Sequence, residues 1–287
     1  MLNITDVRSI PGDSAFLIDD GNTSILYDSG FAFSGNEIAN RIKEILGDRT
    51  LDYIFLTHSH YDHVFAVPYI LKVYPNAKVV AGEYTKKIFE KPSAKKLMSE
   101  LDRKFANKCN AAPYEDLSEE LRVDITVCDG DSVVCGDMCF TAVFLPGHTR
   151  CSFGYYLESE KLLLSCETLG IYAESGQVIP SFLVGYKMTL DSIRRAEELD
   201  IKRILIPHYG LIEGKDAETF LESSRKTAVN TCREIATLLK FGKTKEDAIE
   251  LFKNTFYHGK VIDAYPIDAF MLNTGIMVDL IKREILS

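Results

Sequence analysis

Leu51-Asp52-Tyr53-Ile54-Phe55-Leu56-Thr57-His58-Ser59-His60-Tyr61-Asp62-His63 reads as a buried strand running straight into a cluster of metal-binding side chains. The apolar run 51–56 has the length and composition of an interior strand. Three of the chain's six histidines fall in the stretch that follows. Imidazole is the commonest side-chain metal ligand, and an aspartate among histidines adds a hard oxygen donor. Alternate residues of an extended turn point the same way, so His58 and His60 can grip one ion, while Asp62 and His63 turn toward a second. The plain alternative is a chance cluster of core or surface histidines. The density of ligand types directly after a buried strand argues against it.

The flanking sequence repeats this pattern. Leu145-Pro146-Gly147-His148-Thr149 closes another apolar run with a tight turn carrying a histidine, and glycine permits the sharp backbone path. Ile206-Pro207-His208-Tyr209-Gly210 does the same, and Leu163-Leu164-Ser165-Cys166-Glu167-Thr168 does so with a carboxylate. Any one of these has an ordinary structural explanation. Five of six histidines and two carboxylates at the ends of apolar strands do not.

The 287 residues suffice for one large domain, or one domain with an appendage. Nearly half are hydrophobic (46%), enough for a sizeable core. A net charge of -9 argues against a general nucleic-acid or anionic-membrane surface and leaves room for a small metal-lined pocket. A small-molecule substrate and at most a second copy of the chain, as a homodimer, are the expected partners. No leader-like basic and apolar N-terminal run is visible, and no apolar segment approaches roughly 18 residues, so a cytoplasmic protein is expected. The seven cysteines are scattered, without a C-x-x-C pair. Cys135, Cys139, Cys151 and Cys166 lie in or near strand-like runs and are expected as buried free thiols.

Along the chain, residues 15–18 and 24–27 flank Asp19-Asp20-Gly21-Asn22, a hairpin signal. Residues 36–46 place Ile38, Ala39, Ile42, Ile45 and Leu46 on one helical face, ended by Gly47. After the histidine cluster, a helix through Val73 starts late or bends at Pro68. A strand at 77–81 precedes a helical stretch, 83–105, broken at Pro92. A second strand series is expected at 123–128, 132–135, 138–145, 153–157 and 161–166, with hairpin tips at Cys135-Gly136-Asp137 and Glu158-Ser159-Glu160. A helix at 189–199 and a strand at 203–207 follow. Strands then helices thus occur twice, which suits two packed sheets with outer helices. Beyond Gly210 the pattern is helical and strand-free, at 217–241, 245–257 and 267–285. Thr244 with Asp247 forms a capping pair, and Pro266 suits a first helical turn.

Thr57-His58-x-His60-x-Asp62-His63, then Pro146-Gly147-His148-Thr149, then an acid at a strand end and a late strand-end histidine, together resemble the metallo-β-lactamase fold superfamily over residues 1–212. The resemblance implies an α/β fold, the four-layered αβ/βα sandwich, here as domain 1–212 with a helical C-terminal extension, 213–287, packing on or capping the site. It implies that His58, His60 and His148 hold a first metal, and Asp62, His63 and His208 a second. The family's bridging acid is usually an aspartate; Glu167 stands at that place. It is one methylene longer, so it bridges only if the strand end retreats, and otherwise binds one metal alone. Asp28, in Tyr27-Asp28-Ser29-Gly30, resembles the family's acid that supports a ligand histidine, although a plain turn aspartate also fits.

The implied activity is a binuclear metal-dependent hydrolase. Two divalent transition metal ions about 3.5–4 Å apart share a hydroxide that attacks a small ester, thioester, lactone or phosphodiester. Asp62 orients the nucleophile or relays its proton. Zinc is expected, and iron or manganese also suit histidine and carboxylate ligands. Tyr172, Phe182 and Tyr186, in the loop after Glu167, serve either packing or substrate recognition. His258 reaches a substrate only if the helical tail folds over the site. Two rival classes remain. A diiron redox or oxygen-reacting protein would hold iron and consume oxygen. A regulatory protein-binding module that kept the metal site would lack turnover and co-purify with a partner.

Overall fold

Local pairing builds the first sheet. In the computed structural model, which describes residues 2–173 and 176–286, β1 (Asn3–Asp6), β2 (Phe16–Asp19) and β3 (Ser24–Tyr27) form an antiparallel meander. The β2–β3 connection is the expected hairpin. The Asp19 carboxylate accepts from Gly21 N–H, the Asp20 carboxylate accepts from Asn22 and Thr23 N–H, and Gly21 takes φ +97°. Aspartates favour such turns because they bond the backbone just ahead of them. Helix α1 (Gly35–Leu46) then carries the chain to β4 (Tyr53–Phe55), parallel to β3. Helices α2 (Tyr61–Val64) and α3 (Val67–Val73) lead to β5 (Lys78–Gly82), and α4 (Glu83–Phe89) and α5 (Pro92–Lys108) precede β6 (Ile125–Val127). Both strands add in parallel, giving the order β1-β2-β3-β4-β5-β6. Pro68 sits in the first turn of α3 and Pro92 opens α5, where the missing N–H costs no hydrogen bond.

The period-two alternation of these strands sends side chains to two faces. Leu17, Leu26, Ile54 and Val79 share a core with Ile38 and Ile42 of α1 and Ile70 of α3. Phe55 points the other way, against Phe140 and Tyr155, with ring centroids 5.2 and 4.6 Å away. Those rings belong to the antiparallel set β7 (Ser132–Cys135), β8 (Met138–Phe144) and β9 (Phe153–Leu157). The Tyr155 hydroxyl donates to the Leu56 carbonyl at 2.9 Å. These elements make up one unit, Met1–Phe144 with Phe153–Ser159.

The second unit is Leu145–Ser152 with Glu160–Ser287. It contains β10 (Leu162–Leu164), the antiparallel pair β11 (Ile171–Tyr172) and β12 (Val178–Ile179), helix α6 (Tyr186–Glu197), then β13 (Arg203–Ile206) and β14 (Gly210–Glu213). β13 pairs parallel with β10 and antiparallel with β14. Helices α7 (Gly214–Lys240), α8 (Lys245–Phe256), α9 (Val261–Ala264) and α10 (Ile267–Ile285) complete it. They share one core with the segment before α6, in which Phe182 packs with Ile235, Phe252, Phe270 and Ile281. The α8 cap is reciprocal, as expected: Asp247 N–H donates to Thr244 Oγ1, and Thr244 N–H to the Asp247 carboxylate.

Several expectations need correction. Residues 210–213 form β14 where no strand was expected, because two glycines bracket a segment too short to show periodicity. The strand expected at 161–166 ends at Leu164, and Glu167 opens a 3-10 turn, Glu167–Leu169. Residues 158–160 also form a 3-10 turn. Cys139 is exposed on β8, whereas Cys135, Cys151 and Cys166 are buried; all are free thiols. Among the described residues, no helix is long and apolar enough to cross a membrane.

Two buried acids hold the loop between β3 and α1. Asp13 accepts from Phe31 N–H at 3.1 Å, and Asp102 from Ala32 N–H at 3.0 Å and from the Tyr114 hydroxyl. Burial pushes Asp13 up to about 6 and Asp102 to about 7, from 3.8, and their mutual repulsion adds to the Asp102 shift. The folded chain therefore binds more protons than the unfolded one between 3.8 and these values. Stability from these two groups rises as pH falls through the folded values and is fully present only below the unfolded one. Asp102→Asn keeps the bonding partners and removes the ionisation. Urea unfolding should find it more stable than the parent at pH 8, by an amount on the order of 1–3 kcal/mol, with the gap narrowing as pH falls through 7 and closing only below about 4. A gap independent of pH would contradict this account.

Candidate metal centre

In the first unit, β4 ends at Phe55, and the chain bends at Thr57 and Ser59 before His60, which is extended, leads into α2. His58 and His63 are fully buried, while His60 and Asp62 are half-buried. The His58 ring lies 4.5 Å from that of His60 and 4.1 Å from that of His63. His63 Nε2 lies 3.7 Å from an Asp62 carboxylate oxygen. The first motif thus closes into one cluster within its own unit.

Asp28 holds that cluster from behind. It is fully buried with φ +53°, in the turn after β3. Its Oδ2 lies 2.7 Å from His63 Nδ1 and accepts from the Ser14 hydroxyl at 2.9 Å. Its Oδ1 accepts from Thr57 N–H at 2.9 Å, and the Thr57 hydroxyl reaches the same carboxylate at 3.1 Å. Thr57 Oγ1 in turn lies 3.0 Å from His58 Nδ1. Since the Thr57 hydroxyl hydrogen goes to the carboxylate, the consistent assignment has both histidines donating from Nδ1 and presenting Nε2 as the lone-pair nitrogen. The Asp28 backbone is stapled as well: its N–H donates to Phe55 O at 2.8 Å, and Ser29 N–H to His63 O at 2.7 Å.

In the second unit, Gly147 takes φ +146°, and a Cβ there would meet Thr189 Oγ1 at 2.1 Å, so the turn that delivers His148 requires glycine. His148 is almost wholly buried. Its Nδ1 lies 3.0 Å from the Ser181 carbonyl, and its backbone N–H donates to Thr168 Oγ1 at 3.1 Å. A carbonyl only accepts, so Nδ1 carries the hydrogen. His148 Nε2 then faces a Glu167 carboxylate oxygen, Oε2, at 2.8 Å. The other oxygen, Oε1, lies 3.7 Å from His208 Nε2. A lone pair and a carboxylate oxygen this close need a positive charge beside them, either a proton or a metal ion. His208 has φ +62°, in the left-handed region that few residues other than glycine and asparagine adopt readily.

Each unit therefore gathers the expected ligand types: His58, His60, Asp62 and His63 in one; His148, Glu167 and His208 in the other. The donor set fits divalent transition metals, with imidazole nitrogens presented by an anchored Nδ1 and hard carboxylate oxygens among them. The aromatic residues of the 172–186 segment are placed differently. Phe182 is fully buried 5.3 Å from Tyr186, inside the helical core. Tyr172 is buried against Tyr209, at 4.5 Å, and Phe220. Burial raises the Tyr172 phenol to about 12, so it stays protonated at neutral pH. All three rings are buried. His258 is exposed, with Nε2 3.2 Å from the carbonyl of Thr255 in the preceding helix. Sequence reading passed over Thr57, Ser181 and Thr168, which orient the histidines. Thr57 had a signal in its place beside His58; Ser181 and Thr168 had none.

The family model described as the Metallo-beta-lactamase superfamily matches residues 12–208, and the chain belongs to that superfamily. It is 28% identical over 189 residues to the metallo-beta-lactamase fold-containing protein ST1585 of Sulfurisphaera tokodaii, across 64% of this chain and 70% of that one. The crystal structure of ST1585 matches with a TM-score of 0.59 and 25% identity, across 77% and 84% of the two chains. A metallo-beta-lactamase family protein of Thermus thermophilus, TTHA1429, shares the fold at a TM-score of 0.65 and 18% identity, across 99% of this chain and 93% of that one. The hydroxyacylglutathione hydrolase of Francisella tularensis subsp. novicida is 29% identical over 134 residues, which is 45% of this chain and 40% of that enzyme. The chain thus spans less than half the length of that curated enzyme. The mixed α/β fold is of the metallo-β-lactamase type, as expected.

Asp28→Asn keeps the size of the side chain but turns an amide N–H toward a group that now donates to Asp28. It should weaken zinc binding about 10–100-fold, measured by competition with a chromophoric chelator. An unchanged affinity would remove Asp28 from the ligand-orienting network. His208→Asn relieves the left-handed strain, because asparagine tolerates that conformation. In chelator-treated protein its unfolding temperature should equal or exceed the parent's; a drop of several degrees would show that His208 serves the fold rather than the site.

Proposed function

We propose that this protein is a metal-dependent hydrolase in which His58, His60, His148 and Glu167 serve one divalent cation and Asp62, His63 and His208 a second. The observation that carries this reading is the common anchoring of His58, His63 and His148 at Nδ1, by Thr57, Asp28 and Ser181, which leaves Nε2 to ligate in each. Bound divalent ions would supply Lewis acidity toward a carbonyl or phosphoryl oxygen and would acidify water from a pKa of 15.7 toward about 7. The protein's own part is to hold and orient. The buried partners of the histidines fix ring direction before any substrate arrives, and Asp62 orients the attacking water or relays its proton.

The substrate class proposed is a small ester, thioester, lactone or phosphodiester. Similarity to hydroxyacylglutathione hydrolase over part of the chain supports a thioester first. The net charge of -9 disfavours nucleic acid as substrate. Zinc is the first metal to test, then iron and manganese.

Metal analysis of protein grown in metal-replete medium should find at least one transition metal per chain, and a smaller content would count strongly against the proposal. His58→Ala and His148→Ala should each reduce thioester or ester hydrolysis to background. Turnover unaffected by either substitution would place the activity elsewhere.

A further inference from the structure

A row of aromatic rings runs from the first histidine motif to the surface of α5, all within the first unit. Tyr61 stands between His60 and Asp62, two of the candidate ligands. Its ring lies 5.6 Å, centroid to centroid, from that of Phe31 in the loop between β3 and α1. Phe31 in turn lies 5.0 Å from Phe33 and 4.8 Å from Phe105 on α5. Tyr114 closes the group against Phe33 at 6.3 Å. Phe31 is buried at the centre, whereas Tyr61, Phe33, Phe105 and Tyr114 each keep part of their surface open. The helix extends the row outward. Leu101 and Leu97 precede Phe105 by four and eight residues, on the same helical face, and are 38% and 56% exposed.

Isolated exposed leucines are ordinary, but a contiguous apolar strip is not, and this one begins between two candidate ligands. Its floor is fixed. The buried Asp13 and Asp102 carboxylates hold the backbone N–H groups of Phe31 and Ala32, and Tyr114 donates its hydroxyl to Asp102. The rings are therefore set before anything binds, which spares the cost of ordering a site. A surface continuous with the reacting centre suits part of the substrate itself better than a separate partner. We propose that the strip holds the apolar acyl chain of the substrate, so that the ester or thioester cleaved at the metal centre is that of an aliphatic acid. This deepens the hydrolase reading and rests on it. In the reaction the acyl C–O or C–S bond breaks. Water supplies the hydroxyl of the new carboxylic acid and a proton to the departing oxygen or sulfur.

Hydrolysis by the metal-loaded protein is compared across p-nitrophenyl esters from acetyl to octanoyl. For the parent, kcat/KM should rise about two- to fourfold with each methylene that reaches the strip. Phe33→Ala and Phe105→Ala should lower the octanoyl-to-acetyl ratio at least about tenfold, chiefly through KM. Leu101→Gln, at an exposed position, should lower it in the same direction with the unfolding temperature unchanged, which separates a lost contact from a lost fold. A second readout needs neither metal nor turnover. By calorimetry, chelator-stripped parent should bind decanoate at least about tenfold tighter than hexanoate, and Phe105→Ala should narrow that difference. Equal affinity of the parent for the two acids, or an octanoyl-to-acetyl ratio unchanged in all three variants, would overturn the acyl strip and leave the hydrolase reading intact. Dimerisation that Leu101→Gln abolishes and decanoate leaves unaffected would assign the strip to a second copy of the chain, and would overturn it too. Decanoate bound as expected, with no ester or thioester hydrolysed, would instead overturn the hydrolase reading.

Discussion

A buried carboxylate cannot stand alone in a protein interior, and Asp28 is satisfied by the groups that shape the candidate metal-binding cluster. It collects donors from Ser14, from the backbone and hydroxyl of Thr57, and from His63. These come from three separate stretches of chain, so one charge fixes the turn after β3, the exit of β4 and the start of α2 relative to one another. Desolvating a carboxylate without such partners costs several kcal/mol, which makes the arrangement all-or-none. The positive φ at Asp28 is a local strain this network holds in place. Fold and ligand orientation in the first unit are therefore consequences of the same interaction.

The second unit reaches an equivalent result without a buried anion behind its histidine. His148 is directed by a backbone carbonyl and by Thr168, and the turn that presents it depends on a glycine packed against Thr189. Ser181, whose carbonyl fixes the imidazole, lies just before Phe182, which is packed into the helical core. The C-terminal helices thus stabilise the segment that orients a candidate ligand. Lys187 N–H, donating to the Glu284 carboxylate at 3.1 Å, ties the first turn of α6 to α10 within the same body.

Some readings failed for physical reasons that can be named. Aromatic residues after Glu167 left packing and recognition both open in the sequence, and Phe182 and Tyr186 lie in the helical core, because large rings bury wherever helices offer a face. β14 was invisible because a four-residue strand between glycines has no period to detect. The early end of β10 was equally hidden: Ser165 and Cys166 suit a strand, and only hydrogen bonding shows that the ladder has stopped.

By itself the sequence determined the strands and helices with strong periodicity, the β2–β3 turn, the α8 cap and the identity of the candidate ligands. Each of these is written in neighbouring residues, through side-chain alternation, turn-forming aspartates or a dense histidine motif. The tertiary structure alone decided which nitrogen of His58, His63 and His148 faces outward, that Asp28 rather than another turn acid backs His63, and that the two oxygens of Glu167 face different histidines. Those outcomes depend on which distant donors and acceptors meet when the chain closes, and hydrogen bonds between residues far apart in sequence leave no local mark.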